Sequence, residues 1–525
     1  MKYENSNCKS EMTFEECELA ILRQAVDETE KETQEKIVNS DEIQKMVKIV
    51  EKFIKKKKCV CYGGTAINNI LPKHAQFYDK NVEIPDYDFF SSNALSDAKE
   101  LADIYFAEGY TDVEAKSGVH FGTYKVFVNF IPMADITEMN MKLFRSVLKE
   151  SIVIDGIHYA PANYLRMNMF IELSRPKGDV SRWEKVLKRL NLLNEYYPLG
   201  SENIDCQTVD FQRKMDTLQT ETEKIYFVTR DTFIEQDTIF FGGFASSLYS
   251  KYMPEETKHL VQKIPDFDVL SEDPENCADI LKNKLETLNL SEKVHIIKHA
   301  AISEIIPRHL EIRVGKEIIA FIYEPIACHN YNIIPFNLDN TNAKTKETNI
   351  KVATIDTMLS FYLAFLYVNK NYYYKDRIIC IAKFLFEVEQ KNRLEQKGLL
   401  KRFSIQCYGK SSTIENIRAE KAKMFQELKD KKNTEEYERW FLKYNPLNNK
   451  NQNPYTKKKY PHRQNRQNPY SRQNPYSRQN PYSRQNPYSR QNPYSRQNPY
   501  KKRGKRHFLF KNTRKRGRKK DIWLI

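Results

Sequence analysis

Apolar residues along this chain recur at helical spacing in some segments and in short runs in others. Residues 13–58 are mostly charged, but Ile43, Met46, Val47 and Val50 recur on one face of a helix. Short apolar runs at residues 59–62 and 84–90 are typical of strands. The pattern predicts a helix, a strand at 59–62, a glycine turn, a helix at 65–71, a strand at 84–90, a helix at 94–108 and a strand at 124–131.

The same order of elements returns after a helical stretch at residues 161–197. The second set is a strand at 238–241, a glycine turn, a helix at 245–252, a strand at 263–270, a helix at 277–288 and a strand at 317–323, followed by a helical region at 356–444. We interpret the repeat as an internal duplication with a period of about 180 residues. The sequence therefore predicts an α+β fold of two tandem modules, each a mixed sheet flanked by helices, with helical additions.

Residues 447–525 have a different composition. Arg-Gln-Asn-Pro-Tyr-Ser occurs five times from Arg466 to Ser495, and 12 of the 20 residues at 501–520 are Lys or Arg. A proline in every sixth position and the lack of aliphatic residues in the repeats preclude a packed core, so we expect a disordered basic tail. The predicted domains are an N-terminal helical segment at 1–58, a first module with its following helices at 59–200, a second module with a helical region at 201–446, and the tail at 447–525.

Charge is unevenly distributed. The chain carries +16, yet 23 of its 85 basic residues and only one of its 69 acidic residues lie in residues 447–525, so the rest is slightly acidic. Arginine, tyrosine and a proline-stiffened backbone suit loose contact with single-stranded RNA. The other interpretations of the tail are a nuclear-localisation-like cluster at residues 511–520 and a packaging tether.

Nine scattered cysteines without a CxxC pair indicate neither a disulfide framework nor a zinc site, and a reducing compartment fits them best. The longest apolar run, residues 358–368, is too short to cross a bilayer. We therefore expect a soluble intracellular protein with no membrane contact.

The candidate chemistry lies in a motif that occurs twice. Asp86-Tyr87-Asp88 lies 22 positions after Gly63-Gly64, and Asp266-Phe267-Asp268 lies 23 positions after Gly242-Gly243, counted from the second glycine to the first aspartate. Two carboxylates at i and i+2 of a strand point to the same face and can share hard cations such as Mg²⁺. This is the geometry of a two-metal phosphoryl-transfer site, and the alternative is a solvated strand face.

Other residues complete the candidate site. Gly63 and Gly64 would let backbone amides approach a nucleoside triphosphate, with Thr65 adding a hydroxyl; the alternative is a purely structural turn. Asp135 is the candidate for a third metal-holding carboxylate, with Glu138 as a nearby substitute, and the alternative for Asp135 is a cap or turn residue. Lys125, beside the acidic strands, would neutralise triphosphate charge.

These motifs resemble the signature of the DNA polymerase β-type nucleotidyltransferases. Within that superfamily, YGGTAIN at 62–68, IPDYDFF at 84–90, MADIT at 133–137, LSRP at 173–176 and SRW at 181–183 are similar to the poly(A) polymerase catalytic subunits of giant cytoplasmic DNA viruses. The mimivirus kind is most similar, and the poxvirus and asfarvirus enzymes are more distant. The resemblance covers roughly residues 40–430.

The resemblance implies a template-independent polynucleotide adenylyltransferase that adds adenylates from ATP to the 3′ end of single-stranded mRNA. Mg²⁺ or Mn²⁺ would be the cofactor, held by the catalytic residues Asp86, Asp88 and Asp135. The resemblance also suggests a homodimer, a location in the host cytoplasm or viral factory, and packaging in the virion. The residues expected to bind the nucleotide are Gly63, Gly64, Thr65, Lys125 and Arg166.

The helical stretch after the first module lies where this fold commonly contacts nucleotide and primer. The alternative for each of its polar residues is a solvated helix position. They are Tyr164, Arg166, Arg175, Arg182, Lys185, Lys188 and Arg189.

The second module is expected to be a degenerate copy. Aligning Lys125 with Lys316 places Ile326, and no carboxylate, opposite Asp135, and Phe244 takes the place of the threonine hydroxyl. Such a copy would be retained for packing, RNA guidance or dimer contact. Two further functions stay open for the whole chain: an inactive RNA-binding scaffold or processivity subunit, and a nucleotidyltransferase of other base or acceptor specificity.

Overall fold

The structure is a computed structural model. It describes residues 8, 11–79, 81–200, 204–213, 221–261, 264–303, 305–338, 346–392, 394–411 and 413–449. The predictions for the basic tail from residue 450 onward therefore lie outside the described residues. Within the described ranges, every helix is too short or too polar to span a membrane.

Sixteen strands are assigned among the described residues, and they form two mixed sheets of eight strands each. In chain order they are β1 Val60–Cys61, β2 Tyr87–Ser91, β3 Val113–Ser117, β4 Thr123–Val128, β5 Ile131–Glu138, β6 Ile152–Ile154, β7 Ile157–Tyr159, β8 Ile239–Phe240, β9 Phe267–Leu270, β10 Val294–His299, β11 His309–Val314, β12 Glu317–Tyr323, β13 His329–Leu338, β14 Lys346–Ala353, β15 Cys407–Tyr408 and β16 Lys443–Tyr444.

The two sheets repeat one topology. Their strand orders are β16-β3-β4-β5-β2-β1-β7-β6 and β10-β11-β12-β9-β8-β14-β13-β15. In the first, β5 runs parallel to β2 and β1 runs antiparallel to it; in the second, β12 and β8 have the same relations to β9. This confirms the predicted α+β fold of two tandem modules.

Helices cover the sheets. In chain order they are α1 Phe14–Val38, α2 Asp41–Lys57, α3 Gly63–Ile70, α4 Ala94–Ala107, α5 Met141–Lys149, α6 Ala162–Leu173, α7 Trp183–Tyr196, α8 Thr222–Glu235, α9 Gly243–Leu248, α10 Pro274–Glu286, α11 Ile355–Phe365, α12 Lys375–Lys391, α13 Ile414–Leu428 and α14 Glu435–Phe441.

The N-terminal helical segment is two helices, not one. The Ser40 side chain accepts a hydrogen bond from the backbone N–H of Ile43, which caps the start of α2. The apolar face of α2 is buried, and Tyr105 on α4 donates a hydrogen bond to the carbonyl oxygen of Met46, 2.7 Å away. α1 is largely exposed, because its sequence carries no comparable apolar stripe.

The prediction of one continuous strand at 124–131 is wrong, and the error changes the position of Asp135. It contains the turn of a β4–β5 hairpin, in which Asn129 and Phe130 both adopt positive φ values of 50° and 67°. A turn with two consecutive left-handed residues usually has the sequence Asn-Gly. Because phenylalanine occupies the second position here, the sequence pattern does not indicate a turn. Asp135 consequently lies within β5 and does not follow the predicted strand.

The end of the described chain returns to the first sheet. The region predicted to be helical at 356–444 contains helices, but β15 joins the second sheet and β16 pairs with β3 at the edge of the first. A segment assigned from sequence to the second module thus contributes a strand to the first sheet. The predicted domain boundaries themselves stay a prediction.

Disulfide bonds contradict the expectation drawn from cysteine spacing. Six of the nine cysteines are paired, as Cys8–Cys17, Cys206–Cys380 and Cys328–Cys407, and Cys59, Cys61 and Cys277 are buried thiols. Two of the pairs join residues 174 and 79 positions apart, so only the tertiary fold brings them together. The compartment inferred from the sequence pattern stays a prediction.

Candidate active site

Adjacent parallel strands bring the three predicted carboxylates together. Asp88 on β2 lies directly opposite Asp135 on β5, and Asp86 immediately precedes β2. The alternate side chains of β2 are buried, and the Tyr87 hydroxyl donates to Glu51 Oε1 on α2, 2.6 Å away. The strand is therefore fixed on one face while the other presents the carboxylates.

Repulsion between these carboxylates is strong. Limited hydration and the charges of Asp86 and Asp135 raise the pKa of Asp88 to about 7. The pKa of Asp86 is also raised, first by desolvation and then by Asp135, although Lys125 and Lys185 oppose the shift. The Lys125 ammonium forms an ion pair with Asp135, as expected from its position on neighbouring β4.

The donor set fits a divalent cation. Asp135 Oδ1 is buried and has no hydrogen-bond partner, and all three side chains supply the hard oxygen ligands that Mg²⁺ prefers. As they stand, the carboxylates do not converge on one point: within the described ranges, no group of three His, Cys, Asp or Glu side chains is arranged to hold a metal ion. Lys125 supplies the positive charge at Asp135 instead.

The glycine turn lies against the carboxylates. Gly63 adopts a φ of +73°, and a Cβ at this position would lie 2.7 Å from Asp88 Oδ2. Thr65 is buried, and its hydroxyl donates to the carbonyl oxygen of Asp86 at 2.7 Å. Gly63 and Thr65 thus position the carboxylate strand, a role that sequence reasoning did not assign to them.

A cationic face lies beside this turn. Arg182, Lys185 and Arg189 follow the i, i+3, i+7 spacing of one helix side at α7. A Cβ on Gly64 would lie 2.9 Å from Arg189 Nη1, and Arg189 Nη2 donates to the Tyr78 hydroxyl at 2.6 Å. Tyr78 had no sequence signal, because only the fold brings it to the glycine turn.

Arg166 occupies a different environment. Arg166 is fully buried. Its Nε donates to Asn194 Oδ1 at 2.7 Å, and its terminal nitrogens donate to Asn163 and to the carbonyl oxygen of Tyr197. Arg166 therefore joins α6 to α7 and the segment that follows it. These contacts are structural, and nucleotide binding by Arg166 stays a prediction.

The predicted alignment of the second module is wrong in register. Phe321 on β12, and not Ile326, lies opposite Asp268, as Asp135 lies opposite Asp88 in the first sheet. The error follows from the unrecognised β4–β5 hairpin. The strand that corresponds to β12 is β5, whereas Lys125 lies on β4, so the alignment of Lys125 with Lys316 shifted the register. The position of the third carboxylate is nevertheless apolar, as the sequence analysis expected.

Comparison with known proteins supports the resemblance to viral poly(A) polymerase catalytic subunits for part of the chain. Residues 48–179 match the sequence model described as "Poly(A) polymerase catalytic subunit". A protein of African swine fever virus (strain Badajoz 1971 Vero-adapted) named "Putative poly(A) polymerase catalytic subunit" is 33% identical over 173 residues, which is 32% of this chain and 36% of that protein. One of the same name from Acanthamoeba polyphaga mimivirus is 30% identical over 190 residues, 35% of this chain and 30% of that protein.

The matched segments span about a third of the length of these relatives. The crystal structure of the Megavirus polyadenylate synthase resembles the whole fold, with a TM-score of 0.68 and 19% identity over 86% of this chain and 90% of that one. The resemblance inferred from the motifs is thus confirmed for residues 48–179, and the fold is confirmed over most of the chain.

We expect Gly63→Ala to destabilise the first module. The methyl group would enforce backbone strain and press on Asp88, lowering the free energy of unfolding by about 1–3 kcal/mol more than strain alone. Gly398→Ala is the matched control, because Gly398 also has positive φ but a Cβ there meets nothing within 4 Å. Urea unfolding of the two variants measures the difference, and equal losses would contradict the contact with Asp88.

Proposed function

We propose that this chain is a template-independent polynucleotide adenylyltransferase that transfers AMP from ATP to the 3′ end of mRNA. One observation carries the proposal: Asp88 and Asp135 lie opposite each other on adjacent parallel strands, with Asp86 just before the first of them, next to a glycine turn and a cationic helix face. The carboxylates and the glycine turn lie within residues 48–179, which match the poly(A) polymerase catalytic subunit model, whereas α7 follows that segment.

In-line attack of the RNA 3′ hydroxyl on the α-phosphate of ATP needs no covalent enzyme intermediate. Asp86, Asp88 and Asp135 would hold Mg²⁺ or Mn²⁺, whose positive charge stabilises the charge that develops on the phosphate. The β- and γ-phosphates would lie toward the Gly63-Gly64 turn, the start of α3 and the cations of α7. Lys125 would release Asp135 and neutralise phosphate charge.

The remaining features of the proposal rest only on the resemblance of the motifs to the viral enzymes. Single-stranded mRNA is the acceptor, ATP is the nucleotide, and the enzyme works in the host cytoplasm with packaging in the virion. A homodimer is part of the same proposal. These features are separable from the chemistry, because the first module carries all three candidate catalytic carboxylates.

Asp88→Asn should reduce primer extension by more than about a hundredfold, because it removes a charged ligand that supplies several kcal/mol of transition-state stabilisation. Purified protein is incubated with a labelled single-stranded RNA and each ribonucleoside triphosphate separately, with Mg²⁺ or Mn²⁺. We expect a ladder with ATP alone.

Asp155→Asn is the matched control, since Asp155 is exposed in the turn between β6 and β7. Both variants should melt as cooperatively as the parent. Full activity of Asp88→Asn would sink the site assignment, and extension with every nucleotide would replace adenylate transfer by a broader nucleotidyltransfer.

Lys185→Ala should raise the KM for ATP about tenfold with a smaller change in kcat, because one charge–phosphate interaction contributes roughly 1.4 kcal/mol or more. Lys188→Ala is its control: Lys188 lies on the same helix but pairs with Glu184 at 2.6 Å on the exposed side. Steady-state kinetics at saturating RNA measure both. Equal KM values for the two variants would exclude this helix face from triphosphate binding.

A further inference from the structure

The second module contains a carboxylate pair in the same structural position as the first. Asp266 precedes β9 and Asp268 lies on it, between β8 and β12. A Cβ on Gly242 or Gly243 would overlap Asp268 or Asp266, respectively, so the glycine pair again lies against the carboxylates. Both aspartates are buried, with relative exposures of 3% and 7%.

Arg213 neutralises this buried pair. Its Nη2 forms an ion pair with Asp266 Oδ2 and lies 3.4 Å from Asp268 Oδ1. Its backbone N–H donates to Asp266 Oδ1 at 3.1 Å. One guanidinium therefore bridges both carboxylates, at the position that a shared cation takes between two such groups.

An aromatic ring occupies the place of the third carboxylate. Phe321 lies opposite Asp268 on the neighbouring parallel strand, and the Arg213 guanidinium carbon is 4.8 Å from the centre of its ring. A flat guanidinium is attracted to an aromatic face, whereas a small, hydrated divalent cation prefers a third oxygen ligand. Phe321 in place of the third carboxylate therefore suits Arg213 in place of a metal ion.

The segment that carries Arg213 is fixed by its own contacts. Gln212 is buried and its Nε2 donates to the carbonyl oxygen of Gly243 at 2.9 Å. The backbone N–H of Phe211 donates to the carbonyl oxygen of Leu260 at 3.1 Å, and Arg377 Nε donates to that of Asp210 at 3.2 Å. These bonds hold the guanidinium in place without help from a ligand.

We propose that Arg213 is the resident counter-cation of the Asp266–Asp268 pair and closes a latent divalent-cation site, which binds a metal ion once the guanidinium is removed. Buried carboxylates stay charged only beside a compensating cation and otherwise take up protons, so the guanidinium keeps this pair ionised as a bound metal ion would. The second module has kept the carboxylates and supplied the charge from its own chain.

The test measures thermal stability in an Asp88→Asn background, which weakens cation binding at the first module. Replacing Arg213 by Met in this background removes the cation that bridges both carboxylates and leaves Arg377 as a cation near Asp266, and we expect the melting temperature in EDTA to fall by about 5–10 °C. Millimolar Mn²⁺ or Mg²⁺ should recover at least half of that loss. The parent carrying Arg213 should gain much less from either ion.

A further variant separates charge compensation from packing. Adding Asp266→Asn and Asp268→Asn to Arg213→Met should restore the melting temperature in EDTA and abolish the response to metal ions. This variant also keeps the proposal testable if Arg213→Met alone fails to fold, because removal of the charges should then rescue folding.

Calorimetric titration with Mn²⁺ alone gives a direct second measurement. We expect one additional binding event in the Arg213→Met variant, absent from the Asp88→Asn parent and from the variant without carboxylates. The proposal is overturned if Arg213→Met gains neither metal-dependent stability nor Mn²⁺ binding, or if removing both carboxylates fails to rescue it. Primer-extension activity of the first module is not involved in either result.

Discussion

Electrostatic repulsion between neighbouring carboxylates is the constraint on which this structure depends. Adjacent strands force two or three acids together where water reaches them poorly, and these acids stay ionised only with a nearby cation. In the first module, Lys125 pairs with Asp135 while the cations of α7 face the other acids. In the second, a single guanidinium bridges both carboxylates. The two modules differ chiefly in the source of that positive charge, which is Lys125 and the cations of α7 in the first module and Arg213 alone between the two carboxylates in the second.

The glycine pairs follow from the same constraint. A strand bearing two aspartates passes so close to the preceding turn that a Cβ on Gly63, Gly242 or Gly243 would collide with a carboxylate. The motif is therefore needed for packing even where no phosphate binds, and its presence alone does not indicate catalysis. In the first module the same turn also lies against Tyr78 and Arg189 of α7, so a cationic side chain lies beside the second glycine.

One topology accommodates both a module with three carboxylates and a module in which Phe321 takes the place of the third. Each carboxylate-bearing strand lies between a parallel and an antiparallel neighbour and is held by buried aromatic residues, such as Tyr87 in one module and Phe267 in the other. This packing does not depend on the third ligand position. Phe321 lies at that position in the second module and adds apolar burial, so the core of this module does not require a third carboxylate.

The sequence by itself determined the two-module organisation, the strands that carry the paired aspartates and the choice of Asp86, Asp88 and Asp135 as candidates, because strand alternation and glycine–carboxylate spacing are local patterns. It did not determine the hairpin strands β10, β11, β13 and β14 of the second sheet. Only the tertiary structure decided which distant residues meet them. It brought Arg213 to the second pair, Tyr78 to the glycine turn, β16 to the first sheet and Cys206 to Cys380. It also corrected the register at Phe321, since the Asn129-Phe130 turn lacks the usual glycine. Contacts between residues far apart in the chain depend on how the elements pack, and no local pattern encodes them.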